Sequence, residues 1–213
     1  MNAETNRSTV KGTAAFYDKT AADWAQKGYS DGSGLPCLLD FVRAYQAGSR
    51  FLDLCCGAGY ETRRIHAAGY DAVGIDFSEE SLKIARSMNP SLSFYHDNLL
   101  NDYSYIGKVD AIVIIAGLVH IETEDLSTAF RRMRAVLKES GRVFLSVWHG
   151  IGKIPERSFT ELDGEAYDRN FIAHTLEELN EAAKGVFTFE QEVGVDGSAW
   201  HCYIFQATAQ KMP

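Results

Sequence analysis

Two hydrophobic rhythms alternate along the chain and divide it into helices and strands. Near the start, Phe16, Tyr17, Ala21 and Trp24 recur at helical spacing, which predicts a helix from Ala14 to about Lys27. Residues 1–12 ahead of it read as a mobile tail, and Gly28 to Gly34 as a loop. Pro36 suits the first turn of a second helix carrying Leu38, Leu39, Val42 and Tyr45. Beyond it, short apolar runs predict strands at 51–54, 72–75, 91–96, 109–115 and 142–148. The run Val109–Ile115 is almost wholly apolar, the mark of a strand covered on both faces.

Amphipathic stretches separate these runs. One helix is expected over about 60–68. Another is expected from Ser78 to about Met88, with Ser78 as its cap and Glu79 and Glu80 in the first turn. Thr123 is expected to cap a longer helix bearing Leu126, Phe130, Met133, Val136 and Leu137, ended by Gly141. The alternation implies an α/β fold with a doubly wound parallel sheet and right-handed crossovers. The C-terminal part breaks that pattern. Thr175 and Glu178 form a capping box for a helix to about Lys184. The runs Val186–Val193 and Trp200–Ala207 then flank a turn at Asp196-Gly197 and predict an antiparallel pair. The long irregular connection from about His149 to Ala173 has the length of a lid or binding loop.

Composition narrows the classes. A chain of 213 residues, 46% hydrophobic and 23% charged, suits one soluble globular domain. The net charge of −8 argues against a nucleic-acid partner. No stretch reaches the roughly 20 apolar residues that cross a bilayer, and the polar start is no signal peptide. Cys37, Cys55, Cys56 and Cys202 form no CxxC pair, so zinc and redox motifs are not expected, nor any metal. Reduced thiols fit a cytoplasmic location.

The candidate chemistry centres on Arg50 to Tyr60, a short strand that ends in an acid and turns through Gly57 and Gly59 into a helix. Glycines let such a turn approach a ligand closely, and the helix N-terminus behind it presents unpaired N–H groups. A dinucleotide would place its pyrophosphate there. Asp53 opposes that charge, and Thr62 stands where a third glycine would be wanted. S-adenosylmethionine carries a sulfonium and an α-ammonium instead, so a carboxylate attracts it. Three further strand ends bear suitable groups: Asp76, then Asp97-Asn98, then Ala116-Gly117 leading to His120. An acid in the position of Asp76 accepts from ribose hydroxyls in nucleotide folds.

These segments together resemble the class I S-adenosylmethionine-dependent methyltransferases. FLDLCCGAG resembles the family's first motif, VGIDFS its second acidic motif and FYHDN its adenine-binding acidic segment. DAIVIIAGLVHI and RAVLKESGRVFLSVW resemble its fourth- and fifth-strand motifs. The resemblance implies a mostly parallel seven-stranded sheet with helices on both faces and an antiparallel C-terminal hairpin. It assigns Asp53, Gly57 and Gly59 to the methionyl part of the cofactor, Asp76 to the ribose, Phe77 to the adenine face, and Asp97 with Asn98 to the adenine edge. Cys55, at a position that is often glycine, and Ala116 belong to the same cofactor wall. Tyr17 and Trp24 would close over the cofactor as N-terminal helices do in relatives, core packing being the competing reading for Trp24. Residues 1–48 would then form a helical cap, 49–148 the cofactor core, and 149–213 the acceptor side and terminal hairpin of one domain.

Methyl transfer from a sulfonium needs alignment and dryness more than acid–base help. Where the acceptor must lose a proton, His120 is the candidate base, a structural role for the same ring being the alternative. Tyr17, His120, Trp148, His149, Tyr167 and Arg169 are the candidate acceptor contacts. The expected acceptor is a small molecule with an oxygen or nitrogen nucleophile. The alternatives are a tRNA-modifying enzyme, an inactive cofactor-binding protein and, weakest, an NAD-dependent dehydrogenase.

Overall fold

Adjacent residues of the central strands feed two different apolar layers, and this sets the architecture. The computed structural model describes residues 3–30, 36–194 and 199–209. Helix α1 (Ala3–Ser30) and α2 (Pro36–Arg43) precede β1 (Arg50–Leu54), α3 (Tyr60–Ala67), β2 (Asp71–Asp76), α4 (Glu79–Met88) and β3 (Ser93–His96). Then come β4 (Val109–Ile115), α5 (Leu126–Val136), β5 (Leu137–Trp148), β6 (Gly152–Lys153), α6 (Pro155–Ser158), β7 (Phe159–Leu162) and β8 (Glu165–Asp168). The chain closes with β9 (Ile172–Ala173), α7 (Leu176–Ala183), β10 (Phe187–Val193) and β11 (Trp200–Ala207).

Leu52, Leu54, Ile112, Ile114, Val143 and Leu145 pack with α5 and α7 through Phe130, Met133 and Leu179. The intervening Phe51, Ala111, Val113 and Phe144 pack with α2 and α3 through Leu38, Phe41, Val42 and Ile65. A period of two with both faces apolar is what a strand between two helical layers requires. The seven-stranded sheet runs β10-β11-β5-β4-β1-β2-β3. β1 to β5 are mutually parallel, and β11 is antiparallel to both β5 and β10. The expected fold class therefore holds. Strand order reverses between β1 and β4, and ligands of open α/β sheets bind beyond the carboxyl ends at such a point.

Local signals fixed several elements as expected. Ser78 Oγ accepts from the Ser81 N–H at the start of α4, and Thr175 and Glu178 complete a capping box on α7. Others differ for physical reasons. The tail expected over 1–12 is helical from Ala3, and α1 also runs on to Ser30; residues 31–35 of the expected loop lie outside the described residues. Gly12 and Gly28 do not stop α1. They let it approach its neighbours: a Cβ at Gly12 would meet the Asp168 carbonyl oxygen at 2.4 Å, and one at Gly28 the Tyr60 ring at 2.3 Å. Thr123 does not cap α5; Thr123–Asp125 form a 3-10 turn before it. Helix α5 ends at Val136, and Gly141 lies inside β5, where Leu137 pairs Val109 but Arg142 pairs Ala111. Lys138 meets Asp110 across that widened stretch at 2.7 Å.

The connection after β5 is not irregular. β7 and β8 form a hairpin whose two loop residues, Asp163 (φ 53°) and Gly164 (φ 78°), both take the left-handed conformation that a two-residue turn of this kind demands. β6 pairs β9 beneath it. The turn expected at Asp196-Gly197 lies outside the described residues. No helix among the described residues is long and apolar enough to cross a membrane.

Candidate active site

The turn after β1 shapes the site. Cys55 (φ 65°) and Gly57 (φ 51°) are both left-handed, and a Cβ built on Gly57 meets no heavy atom within 4 Å. The turn thus opens onto empty space that a bound group can enter. Its geometry is held from β2: Asp76 accepts from the Gly57 N–H and from the Ser78 N–H, each at 2.8 Å. Burial raises the Asp76 pKa to about 6, against those backbone N–H bonds, which favour the carboxylate. Asp53 lies below the turn, where the Thr62 hydroxyl donates to it at 2.6 Å. Burial raises its pKa to about 7, a shift the Thr62 bond limits. Thr62, set against a dinucleotide fold in the sequence, is therefore the partner that allows an acid to be buried here.

Two joined lobes open at the switch point. One, of about 590 Å³ including its open mouth, is lined by Leu54, Ile75, Phe77, Asp97, Asn98 and Leu99 among others. Asp97 is held by Asn101 and Tyr105, each at 2.8 Å, and by the Asn98 N–H at 2.7 Å. Burial pushes the Asp97 pKa up, but these bonds outweigh it and leave the group below the usual carboxylate range. The second lobe, about 890 Å³ including its open mouth, is lined by Tyr17, Trp24, Gly57, Ala116, His120 and Arg169 among others. Cys55, Asp76, Phe77, Gly117 and His120 line both. Burial holds the Cys55 thiol well above its usual pKa, so it is a neutral wall. Ala116, left-handed at φ 54°, donates its N–H to the Ser146 hydroxyl at 2.9 Å.

Helix α1 closes this space from above. The Tyr17 hydroxyl lies 2.8 Å from His120 Nε2, and His120 Nδ1 meets the Asn170 carbonyl. Asp18 accepts from Ser78 Oγ at 2.7 Å, and Tyr29 donates to the Ala58 carbonyl at 2.7 Å. Burial lowers the His120 pKa to about 4 and raises that of Tyr17 to about 12, so both stay neutral at neutral pH. Trp24 borders the mouth with 36% of its surface exposed.

The expected acceptor contacts divide. Tyr17, His120 and Arg169 line the second lobe. Trp148 does not; its ring packs on Phe171 and Trp200 at 5.9 and 5.6 Å. His149 turns to the Tyr203 hydroxyl at 3.2 Å, and Tyr167 donates to Glu165 at 2.7 Å, so neither lies in that lining. Arg157, Phe171, Trp200 and Tyr60 do line it and were not singled out from the sequence. Only long-range pairing brings them there. Trp200 arrives because β11 pairs with β5, Trp200 opposite Trp148.

Known proteins agree with this geometry. Residues 51–141 match the family model of a methyltransferase domain. YqeM of Bacillus subtilis (strain 168), which carries a methyltransferase name, is 32% identical over 123 residues, covering 54% of this chain and 49% of that protein. A ubiquinone biosynthesis O-methyltransferase of Aromatoleum aromaticum is 28% identical over 118 residues, covering 52% of this chain and 50% of the relative. The chain thus spans about half the length of these curated relatives. Among solved structures, the DhpI complex with S-adenosylhomocysteine superposes with a TM-score of 0.76 at 18% identity, covering 95% of this chain and 98% of that one. A TehB-like S-adenosylmethionine-dependent methyltransferase from Corynebacterium glutamicum gives 0.69 at 17% identity, covering 91% and 99%. Sheet order, glycine turn and strand-end acids define a Rossmann-like methyltransferase fold. The match of residues 51–141 to the methyltransferase-domain family, with methyltransferase relatives and solved structures beside it, supports a class I S-adenosylmethionine-dependent methyltransferase with S-adenosylmethionine as its cofactor.

Proposed function

We propose that this protein transfers the methyl group of S-adenosylmethionine to an oxygen or nitrogen atom of a small molecule. The observation that carries the reading is one continuous lobe in which Gly57, Asp76 and Ala116 face Arg169, Phe171 and Trp200. A cofactor wall and a separate aromatic wall thus share one space, as in-line transfer demands. The cofactor supplies an electrophilic methyl group on a sulfonium. Asp76 and the Gly57 turn would hold the ribose and methionyl parts, Asp53 would favour the α-ammonium from beneath the turn, and Phe77, Asp97 and Asn98 would hold the adenine. Tyr17 and Trp24 would exclude water from above.

His120 in this reading positions Tyr17 and takes no proton, because both its ring nitrogens are already bonded. The acceptor site would be formed by Tyr17, Arg157, Arg169, Phe171 and Trp200. The names of the ubiquinone O-methyltransferase relatives favour a small-molecule oxygen. The acidic balance of −8 disfavours tRNA. A labelled-methyl screen of metabolite pools and bulk tRNA tests the reading. Label in small molecules is expected; label in tRNA alone, or in neither despite S-adenosylhomocysteine binding, overturns it.

A further inference from the structure

The acceptor side of the second lobe carries two guanidinium groups and no carboxylate. Arg157 lies on α6 and Arg169 just beyond β8, and both line the lobe, where the one acid in the lining is Asp76 on the cofactor side. Among the described residues neither arginine forms an ion pair, whereas Arg64, Arg86 and Arg142 do, in a chain of net charge −8. Each lies over an aromatic ring instead. The Arg157 guanidinium sits 3.9 Å from the centre of the Trp148 ring, and that of Arg169 sits 4.4 Å from the centre of Phe16. Both also approach Phe171, at 5.3 and 5.6 Å. A contact with a ring face uses no N–H donor, so the donors that are not otherwise bonded stay available to a ligand. Arg169 spends Nε on the Arg157 carbonyl oxygen at 2.8 Å and touches the Tyr17 hydroxyl; the Arg157 side chain makes no hydrogen bond among the described residues.

Two fixed, partly buried cations beside an apolar wall are costly to leave without a counter-charge. A cationic acceptor would face them and the sulfonium together. Resting on the methyltransferase reading of this lobe, we infer that the methyl acceptor is an anion: a small, flat, apolar body bearing a carboxylate or other oxyanion that Arg157 and Arg169 hold as a handle. The planar guanidinium fork suits such a group. Phe171 and Trp200 take the apolar body.

Calorimetry on the full chain loaded with S-adenosylhomocysteine tests this, with benzoate and its neutral counterpart benzamide as probes at neutral pH. Benzoate is expected to bind at least tenfold tighter than benzamide. Arg157→Met and Arg169→Met keep an apolar stem on the aromatic rings and should each weaken benzoate at least fivefold. Their effect on benzamide should be small. Equal binding of the two probes to the unaltered protein overturns the inference whether or not the variants fold, as does undiminished benzoate binding in both folded variants. The S-adenosylhomocysteine titration in the same experiment reports the cofactor reading separately: if that fails, the methyltransferase reading falls, whereas cofactor binding without benzoate binding removes only the anionic handle.

Discussion

The Tyr17 hydroxyl and Nε2 of His120, 2.8 Å apart, join the N-terminal helix to the loop after β4. The tautomer follows from the other side of the ring. His120 Nδ1 faces the Asn170 carbonyl, which only accepts, so Nδ1 carries the proton and Nε2 accepts from Tyr17. The Asn170 N–H in turn donates to Thr13 Oγ1 at 3.1 Å, back on the same helix. Three segments distant in sequence thus close one ring of bonds over the cavity.

The neutral state of His120 makes the first prediction. Its folded pKa of about 4 lies below the ordinary 6.5, chiefly through burial. A depressed base contributes stability in full above the unfolded pKa and loses it as pH falls toward the folded one. The unaltered protein should therefore lose stability relative to His120→Gln between pH 6.5 and 4. Urea titrations at pH 7 and 5 measure it. A difference independent of pH would mean that the ring is not held neutral. Tyr17→Phe, which removes the shared bond, should cost about 1 kcal/mol at either pH.

Asp76 makes the second. Its carboxylate braces the Gly57 N–H and Ser78 N–H while keeping lone pairs toward the lobe. Asp76→Ala should weaken S-adenosylhomocysteine by roughly one to two decades, since hydrogen bonds to a charged group are worth about 1.5–3 kcal/mol. It should also lower the melting temperature by freeing the turn. Unchanged affinity in a folded variant would remove Asp76 from the ribose role.

Much of this was legible because the signals are local. The Ser78 cap, the Thr175–Glu178 box and the run Val109–Ile115 each need only a few neighbouring residues, and all stand as read. So do the strand ends at Asp76 and Asp97-Asn98, because a strand's end fixes which space its next residues border. The hairpin at Asp163-Gly164 carries a local signal of the same kind, an Asp-Gly pair between two short strands. Arg157 and Phe171 carried none. They reach the lobe by folding of the segment between β5 and α7 against α1, and a guanidinium stacked on a distant indole leaves no mark in spacing. Gly28 and Gly141 misled for the same reason: their purpose is set by what packs against them, which the local sequence does not record.

Asp53 makes the third prediction. Burial raises its pKa from 3.8 to about 7, so the folded protein binds more protons than the unfolded chain between those values. Its ionisation therefore destabilises the cofactor-free fold as pH rises through that window, a penalty Asp53→Asn escapes. An α-ammonium near the turn would favour the ionised acid. S-adenosylhomocysteine binding near pH 6.5 should then release protons, and Asp53→Asn should suppress that release. Calorimetry in buffers of different ionisation enthalpy reads it directly, and the same dependence of observed heat on buffer in both proteins would rule out the coupling.

The last prediction concerns access. Helix α1 is pinned across the mouth by Tyr17 to His120, Asp18 to Ser78, and Tyr29 to Ala58, the last two at 2.7 Å. Opposite it, the segment between β5 and α7 contributes Arg157 and Arg169, and the Asn170 bonds join the two sides. Neither side belongs to the central sheet, whose strands carry the continuous apolar core. Elements outside the continuous apolar core open more readily than core strands, so ligand entry should run through their parting. A bound cofactor would add contacts to both and slow that opening. Hydrogen exchange with S-adenosylhomocysteine should therefore show added protection at residues 14–30 and 150–170, besides the turn at 55–59 and the strand ends. Tyr17→Phe should shrink the gain on both sides together, because its bond to His120 is one link of the ring that joins them. Protection confined to the strand ends would show that the cofactor enters without moving α1, and that the acceptor reaches the methyl group by another face.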